Sequence, residues 1–535
     1  MIKKITFLVL INTYLFGQNV FTSTADKAKI EIAKQKIYGG QYLGAINSFK
    51  DIAKTSPNDA NVYYYLGYSY FMLNQLSNAK EQLNKSISLN ANKAATHFIL
   101  GEIFQKEEKY DDAIAEFNLC TANSKPGDVD HQDATVFISQ CNVAKKLTAN
   151  PIDVEIENGG PEINSKYDDK NPCITADGSL MVFTTRRPEN PNSEVDVEGD
   201  GKYFEDVYIA TRDTATGKYS NAKAVSGSVN TKAHDACSSI SPDGKQIFLY
   251  KNDINDKSSR GGDIFVSKIS NGKWKTPVPF GKPLASTYWE GGACISPDGK
   301  RLFFTSERKG GLGGSDIWMV EKINKKEWGV PVNVGAPINS IYDEGGMFLA
   351  PDGKTLFFCS NGPNSMGSYD IFKTVLEGTK WSEPVNLGFP INSSAKEGQL
   401  TISANGKTAY FSSERAGGLG ESDIYRINLK DYAILEKDNK VKVNDGLSIL
   451  KGTIREGYEG YGLSEVEINI MDASGNSVAS TTTNENGEYF LTLKGGQNYK
   501  ISVKKKGFQD ITEDFELKLG AKETVTLEKG FLLKK

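Results

Sequence analysis

Three sets of side chains in this 535-residue chain have the types and spacing that chemistry would need. The first is a series of carboxylates, Asp169, Asp235, Glu290, Glu344 and Glu397, each eight residues ahead of an Asp-Gly or Asn-Gly pair. The second is Asp206, Asp263, Asp316, Asp370 and Asp423, each followed by two apolar residues. A ring of acids from equivalent places could hold a metal or a substrate. The same acids could instead accept hydrogen bonds from turn amides of their own unit. Recurrence favours the second use, because repeated residues serve the repeat and buried backbone donors need partners. The third set is Arg308 and Arg415, each after Ser-Glu and just before a Gly-rich stretch. They are candidate partner-facing residues, with pairing to neighbouring acids as the stronger alternative.

Other candidates for catalysis are sparse. The histidines are His97, His131 and His234, and none falls in a His-Ser-Asp arrangement. No G-x-S-x-G elbow, H-E-x-x-H helix or Walker loop is present. Gly310-Gly311-Leu312-Gly313-Gly314 and Gly417-Gly418-Leu419-Gly420 lead into apolar strands rather than helices, which argues against a phosphate cradle. Asp196, Glu198 and Asp200 before Gly201 form an alternate-acid pattern suggestive of calcium, but Val207 stands where a bidentate carboxylate would be needed. Cysteines 120, 141, 173, 237, 294 and 359 show no metal-type spacing, and a Cys120–Cys141 disulfide is left open. The sequence therefore calls for no cofactor and no enzymatic activity.

The elements that position these residues are set by a repeated turn. Asp177-Gly178, Asp243-Gly244, Asp298-Gly299, Asp352-Gly353 and Asn405-Gly406 each sit between short apolar runs, the strongest short-range hairpin signal. Successive intervals are 66, 55, 54 and 53 residues, and the excess in the first lies in a polar insertion from Glu189 to Phe204. Periods near fifty predict four-stranded propeller blades. Trp274, Trp328 and Trp381, with Tyr219 in the same place of the first copy, suit packing between blades. The segment from Val154 to Ser165 matches Val385 to Ser393, so the first strand is expected to complete the last blade. Five blades is the direct count. Six would require a sheet from the insertion or from residues after 430. The I-S-P-D-G-K turns at Ile295 to Lys300, with Gly-Gly-x-Asp-Ile strands downstream, resemble the WD40-like, TolB-type propeller family over residues 152–430.

Ahead of this lies a helical region, 26–147, with a 34-residue period. Ala45, Ala79 and Ala113 share one register; Phe49, Leu83 and Phe117 share another; Gly67 and Gly101 share a third. Small residues admit close helix approach and large ones fill the gap between helices. The pattern resembles tetratricopeptide repeats with a capping helix, and that resemblance implies a concave protein-docking groove. Tyr63, Tyr64 and Tyr68 are candidate groove residues; aromatics at helical spacing also suit helix packing, their commoner use.

Residues 446–528 alternate apolar and polar positions between Gly and Asn turns, which predicts a small antiparallel sandwich. This part resembles the carboxypeptidase regulatory-like domain. The fold class is thus multidomain: an α-helical solenoid, a β-propeller and a β-sandwich. The formal charge of −4 gives no bias towards nucleic acid. Lys3-Lys4, the apolar run Ile5 to Phe16 and Gly17 read as a signal peptide at 1–17, with no cysteine near it to carry a lipid.

The order of modules resembles the PorE-like, OmpA-family envelope proteins of Bacteroidetes, here without a C-terminal OmpA-like domain. That resemblance implies a periplasmic location peripheral to the outer membrane. It also implies protein partners such as PorP/SprF-type barrels and an accessory role in type IX secretion. The expected function is a non-enzymatic interaction scaffold; the alternative is a glycan-binding or hydrolytic propeller.

Overall fold

The computed structural model describes residues 24–89, 93–190, 192–196, 201–213, 215–226, 228–251, 262–324, 327–429, 446–457, 460–520 and 523–535. The expected leader at 1–17, the acids Glu198 and Asp200 and the connector Asp431 to Asn444 lie outside the described residues.

Among the described residues seven helices come first: α1 (Thr24–Tyr38), α2 (Tyr42–Thr55), α3 (Ala60–Met72), α4 (Leu76–Ser88), α5 (Ala94–Lys106), α6 (Tyr110–Ala122) and α7 (Val129–Thr148). They pack as tetratricopeptide-like pairs, α1 on α2, α3 on α4 and α5 on α6, with α7 covering α6. The 34-residue register has a direct steric origin. A Cβ on Gly67 would stand 2.6 Å from the Leu83 side chain, and one on Gly101 would stand 2.5 Å from the Phe117 ring. Ala45, Ala79, Ala113, Phe49, Leu83 and Phe117 are all fully buried. Each large member contributes roughly 1.5–3 kcal/mol of apolar burial.

Five antiparallel sheets follow among the described residues. Their first three strands are Asp169–Ile174, Leu180–Thr185 and Asp206–Arg212 in the first sheet; Asp235–Ile240, Gln246–Lys251 and Asp263–Ser270 in the second; and Glu290–Ile295, Arg301–Ser306 and Asp316–Glu321 in the third. The fourth has Glu344–Leu349, Thr355–Ser360 and Asp370–Glu377, and the fifth has Thr401–Ile402, Thr408–Ser413 and Asp423–Asn428. In every case the first two strands are joined by the Asp-Gly or Asn-Gly turn. The five turn glycines have φ between +68° and +73°, the left-handed region that glycine enters at little cost. Glu155–Asn158 pairs with Asp423–Asn428, so the fifth sheet is completed by the chain's first strand.

Each sheet packs on the next. The first strand of the first sheet meets that of the second and also the strands of the fifth, while Phe357 and Phe358 of the fourth share a core with Ile402 and Phe411 of the fifth. Aromatic residues of the expected fourth strands lie at the joints: Trp328 on Phe280, Trp381 on Phe303 and Tyr219 on Tyr410, at 5.7, 6.0 and 5.2 Å between ring centres. Within the described residues, the stretch Glu189 to Phe204 adds only the bridge between Val195 and Tyr203 to this framework.

The last module has two sheets facing across one core. Leu447–Glu456 pairs with Glu488–Lys494, Thr526–Glu528 and Phe531–Leu533; Glu467–Met471 pairs with Ser477–Thr482 and Gln497–Lys504, which in turn pairs with Ile511–Leu517. It abuts the Asp-Gly turn ends of the preceding sheets, where Leu447 N–H donates to the Ala404 carbonyl at 3.0 Å and Lys245 pairs with Glu488 at 2.5 Å. Among the described residues no helix is long and apolar enough to cross a membrane.

Candidate interaction site

The repeated acids act inside their own sheets. Asp169 Oδ2 accepts from the backbone N–H and hydroxyl of Ser165 at 2.6 and 2.7 Å, and Glu344 and Glu397 take up Ser340 and Ser393 in the same way. In the second acid series, Asp316, Asp370 and Asp423 accept from the N–H groups of Leu312, Met366 and Gly420 at 2.5, 2.7 and 3.1 Å. Arg308 and Arg415 are drawn into the same framework. Arg308 pairs with Glu290 at 3.1 Å and lies over the rings of Phe304 and Trp318. Arg415 pairs with Glu397 at 3.2 Å, lies over Phe411 and Tyr425, and donates to the Ile391 carbonyl at 2.7 Å. Arg187 and Lys251 do the same for Asp169 and Asp235.

The fourth sheet breaks this rule. Gly362 stands where the arginine would be, and burial pushes the Glu344 carboxyl up to about 7 despite hydrogen bonds from Ser340 and Ser360. At that same strand end the helical module is seated. Gln140 of α7 donates to the carbonyls of Asn361 and Gly362 at 2.9 and 3.2 Å, and Gln105 of α5 donates to the Met366 carbonyl at 3.2 Å. The Met366 side chain is fully buried in a helical core with Phe98, Tyr110, Phe117 and Cys141. Its counterparts in the third and fifth sheets, Leu312 and Leu419, are about half exposed at 52% and 49%. One loop of the fourth sheet is therefore converted into an anchor for the helices, opposite the strand ends that meet the C-terminal sandwich.

The anchor engages the end of the helical array at α5, α6 and α7, and α1, α3 and α5 stand side by side in one row of the array. Tyr64 and Tyr68 on α3 and Glu102 on α5 are half-buried, while Tyr38 on α1 is exposed. Burial raises the Tyr64 hydroxyl, with Tyr65, Tyr68, Asp130 and Tyr38 adding to the effect, and the Tyr68 hydroxyl, with Tyr42, Glu102 and Tyr38 adding to it. Burial also pushes the Glu102 carboxyl up to about 7, with Lys106 pulling down and Asp133 pushing up. Asp130 and Asp133 on α7 are raised by burial and by their acidic neighbours. Tyr63 lies elsewhere: its hydroxyl donates to the Pro57 carbonyl at 2.9 Å, and Lys85 sits over its ring.

The histidines serve local pairs. His97 Nδ1 is 2.7 Å from Glu116, His131 Nδ1 is 3.3 Å from Ser124, and His234 lies between Asp196 and Glu205 at 3.3 and 3.4 Å. Glu205 is pulled up by burial but driven well below the carboxylate range by Lys170, His234 and Arg186. Of the calcium candidates, Asp196 is thus engaged by His234. Among the described residues no group of three or more His, Cys, Asp or Glu side chains is arranged to hold a metal. All six cysteines, Cys120 and Cys141 included, are buried and unbridged. Glu102, Gln105, Gln140 and Met366 escape sequence reasoning. The one legible signal is Met366, which stands where Leu312 and Leu419 stand in the third and fifth copies, in a loop that reads Gly362-Pro363-Asn364-Ser365 in place of their Gly-Gly pairs.

Two family models match parts of the chain: the carboxypeptidase regulatory-like domain over residues 449–528, and anaphase-promoting complex, cyclosome, subunit 3 over residues 39–119. No curated protein matches. Similar solved structures include the TPR domain of P58(IPK), 19% identical over 24% of this chain and 35% of that one, with a TM-score of 0.22. The Yersinia enterocolitica type III secretion chaperone SycD with a peptide of the translocator YopD is 13% identical over 24% and 99%, TM-score 0.22. The first TPR of Spaghetti (RPAP3) bound to an HSP90 peptide is 17% identical over 23% and 96%, TM-score 0.22. The chain spans about a third of the P58(IPK) structure it matches.

Proposed function

We propose that this protein is a non-enzymatic scaffold that holds partner proteins on its helical recess and on the faces of a five-bladed propeller formed by the five sheets. The observation that carries the reading is the row formed by α1, α3 and α5. Tyr64, Tyr68 and Glu102 keep accessible, desolvated surface on the inner helices, while the blade-four loop at Met366 fixes the array in place. A docking groove held rigidly against a second module presents its partner in one orientation, and preorganisation of this kind lowers the cost of binding. The leader pattern at 1–17 and the module order support export and a place in the periplasm against the outer membrane, in a PorE-like role beside PorP/SprF-type or type IX secretion components. The sandwich at the turn ends of the blades acts as a spacer or a further contact.

A second reading is favoured by one observation. Asp168, Lys170, Arg186, Glu205 and His234 form a charged network beside the first strands of the first two sheets, a place where a propeller could hold a polar ligand such as a glycan. Pull-down from envelope extract separates the two. The scaffold reading expects protein partners retained by the wild type and lost from a Tyr64→Ala/Tyr68→Ala variant with unchanged helical circular dichroism. Retention unaffected by that variant would overturn the recess as the partner site.

A further inference from the structure

We infer that Cys173 and Cys237 close into a disulfide when the chain folds in oxidising surroundings, tying the first sheet to the second. Whether the cell supplies such surroundings rests on the export reading above; the competence of the pair does not.

Three observations carry it. First, the two sulfurs already touch: Sγ to Sγ is 3.7 Å between the strands Asp169–Ile174 and Asp235–Ile240. A disulfide bond is about 2.05 Å long, and the remaining approach of about 1.6 Å is within the swing of two Cα–Cβ rotations. Both strands shift register at the cysteine, between Lys170 and Cys173 and between Cys237 and Ser239, and a bulge of this kind re-aims the side chain beside it. Second, the pair is dry and held in place. Cys173 and Cys237 are 2% and 1% exposed, in a core with Val182, Leu249 and Trp274. Gln399 donates to the Ser238 carbonyl at 2.9 Å and to Cys173 Sγ at 3.5 Å. Third, other thiols are turned to backbone groups: Cys120 Sγ donates to the Asp130 carbonyl at 3.4 Å, and Cys294 Sγ accepts from the Leu349 N–H at 3.2 Å. The cross-link joins positions 64 residues apart and encloses the Glu189 to Phe204 insertion, so it restrains the unfolded chain across the longest repeat interval.

The step needs a disulfide oxidant, either glutathione disulfide or a protein dithiol oxidase. The thiolate of one cysteine attacks it and expels a thiolate; the other cysteine then attacks the mixed disulfide and expels the second. Two protons and two electrons leave the pair, and the oxidant ends as two thiols. Burial pushes the Cys173 thiol up, which leaves the folded pair with little thiolate. The exchange therefore belongs to the folding chain, and the closed bond is shielded from reductants afterwards.

The test uses the full chain, unfolded in urea with dithiothreitol and refolded with or without a glutathione redox buffer, then alkylated, digested and mapped by mass spectrometry. The expected result is a Cys173–Cys237 linked peptide, two hydrogens lighter than its parts, only in the oxidising arm. The oxidised protein should melt about 5 °C above the reduced one, a difference lost in Cys173→Ala and in Cys237→Ala and kept in Cys294→Ala. Free thiols at both positions after oxidative refolding, or a bridge to any other cysteine, overturn the inference; this mapping is made on the wild type and stands even where a variant fails to fold. Alkylation of whole cells then tests location by itself. A bond formed on refolding and thiols found in cells uphold the pair and overturn the export reading.

Discussion

Glu102 offers a quantitative test of the helical surface that needs no partner. Its carboxyl titrates near 7 in the folded protein against an ordinary value of 4.5, chiefly because burial disfavours the charge. The folded state therefore holds this proton more tightly than the unfolded chain does. Below pH 4.5 both states are protonated and no penalty exists. Between 4.5 and about 7 the unfolded state ionises first, and stability falls as pH rises. Above 7 the penalty is complete. At 1.36 kcal/mol per pH unit it would reach roughly 3 kcal/mol, and the partial exposure of the side chain reduces this to about 1–2 kcal/mol, since solvent screens part of the charge. Glu102→Gln has the shape of the protonated acid and does not titrate. At pH 8 it should slow hydrogen exchange of the α5 amides, residues 94–106, by roughly 5- to 30-fold relative to wild type, the factor that one or two kcal/mol represents. At pH 5 the two proteins should exchange almost alike. Equal exchange at pH 8, or the same difference at both pH values, would refute the desolvation of the Glu102 carboxyl.

Arg415→Met should cost about 3–5 kcal/mol in a thermal or urea melt, because it leaves fully buried Glu397 without its cation. Glu344→Gln, in the sheet that lacks an arginine, should by contrast be neutral or stabilising at pH 8, with any gain vanishing towards pH 5. Met366→Ala should weaken the seating of the helices by about 2–5 kcal/mol, and Met366→Asp should release them, seen as faster proteolysis at 149–154 and a larger radius of gyration by small-angle scattering. Gly101→Ala should lower the melting temperature of the helical signal, because about 1–3 kcal/mol of overpacking against the Phe117 ring outweighs a propensity gain of about 1 kcal/mol. The cost at Gly67 should be smaller, since the aliphatic Leu83 side chain yields more readily than a ring.

Much of the framework was legible in the residues. The Asp-Gly pairs announced their hairpins because few residues accept positive φ, and the Ser-to-acid spacing of four is visible once the turn sets the register. Gly67, Gly101 and their alanine partners marked helix contacts because any Cβ there collides with a large neighbour. The pairing of Glu155–Asn158 with the last strand followed from its likeness to Val385 to Ser393, a similarity detectable without coordinates. Arg308 and Arg415 were ambiguous, since their position beside Gly-rich loops suits a surface role as well as a strut. Only the placement of Glu290 and Glu397 decides between these. Cys120 and Cys141 left a disulfide open, and both stand as buried thiols.

What the amino-acid order determined alone is what short-range sterics and periodicity control: turns, strand register, helix pairing and the sequence of modules. What the tertiary structure decided is which groups are desolvated and which find partners across the chain. Gln140 reaches Asn361 across 221 residues, and the charge of Asp133 on a different helix helps to raise the Glu102 carboxyl. Burial and charge pairing are properties of a surrounding volume assembled from distant segments, and no local pattern of residues encodes that volume.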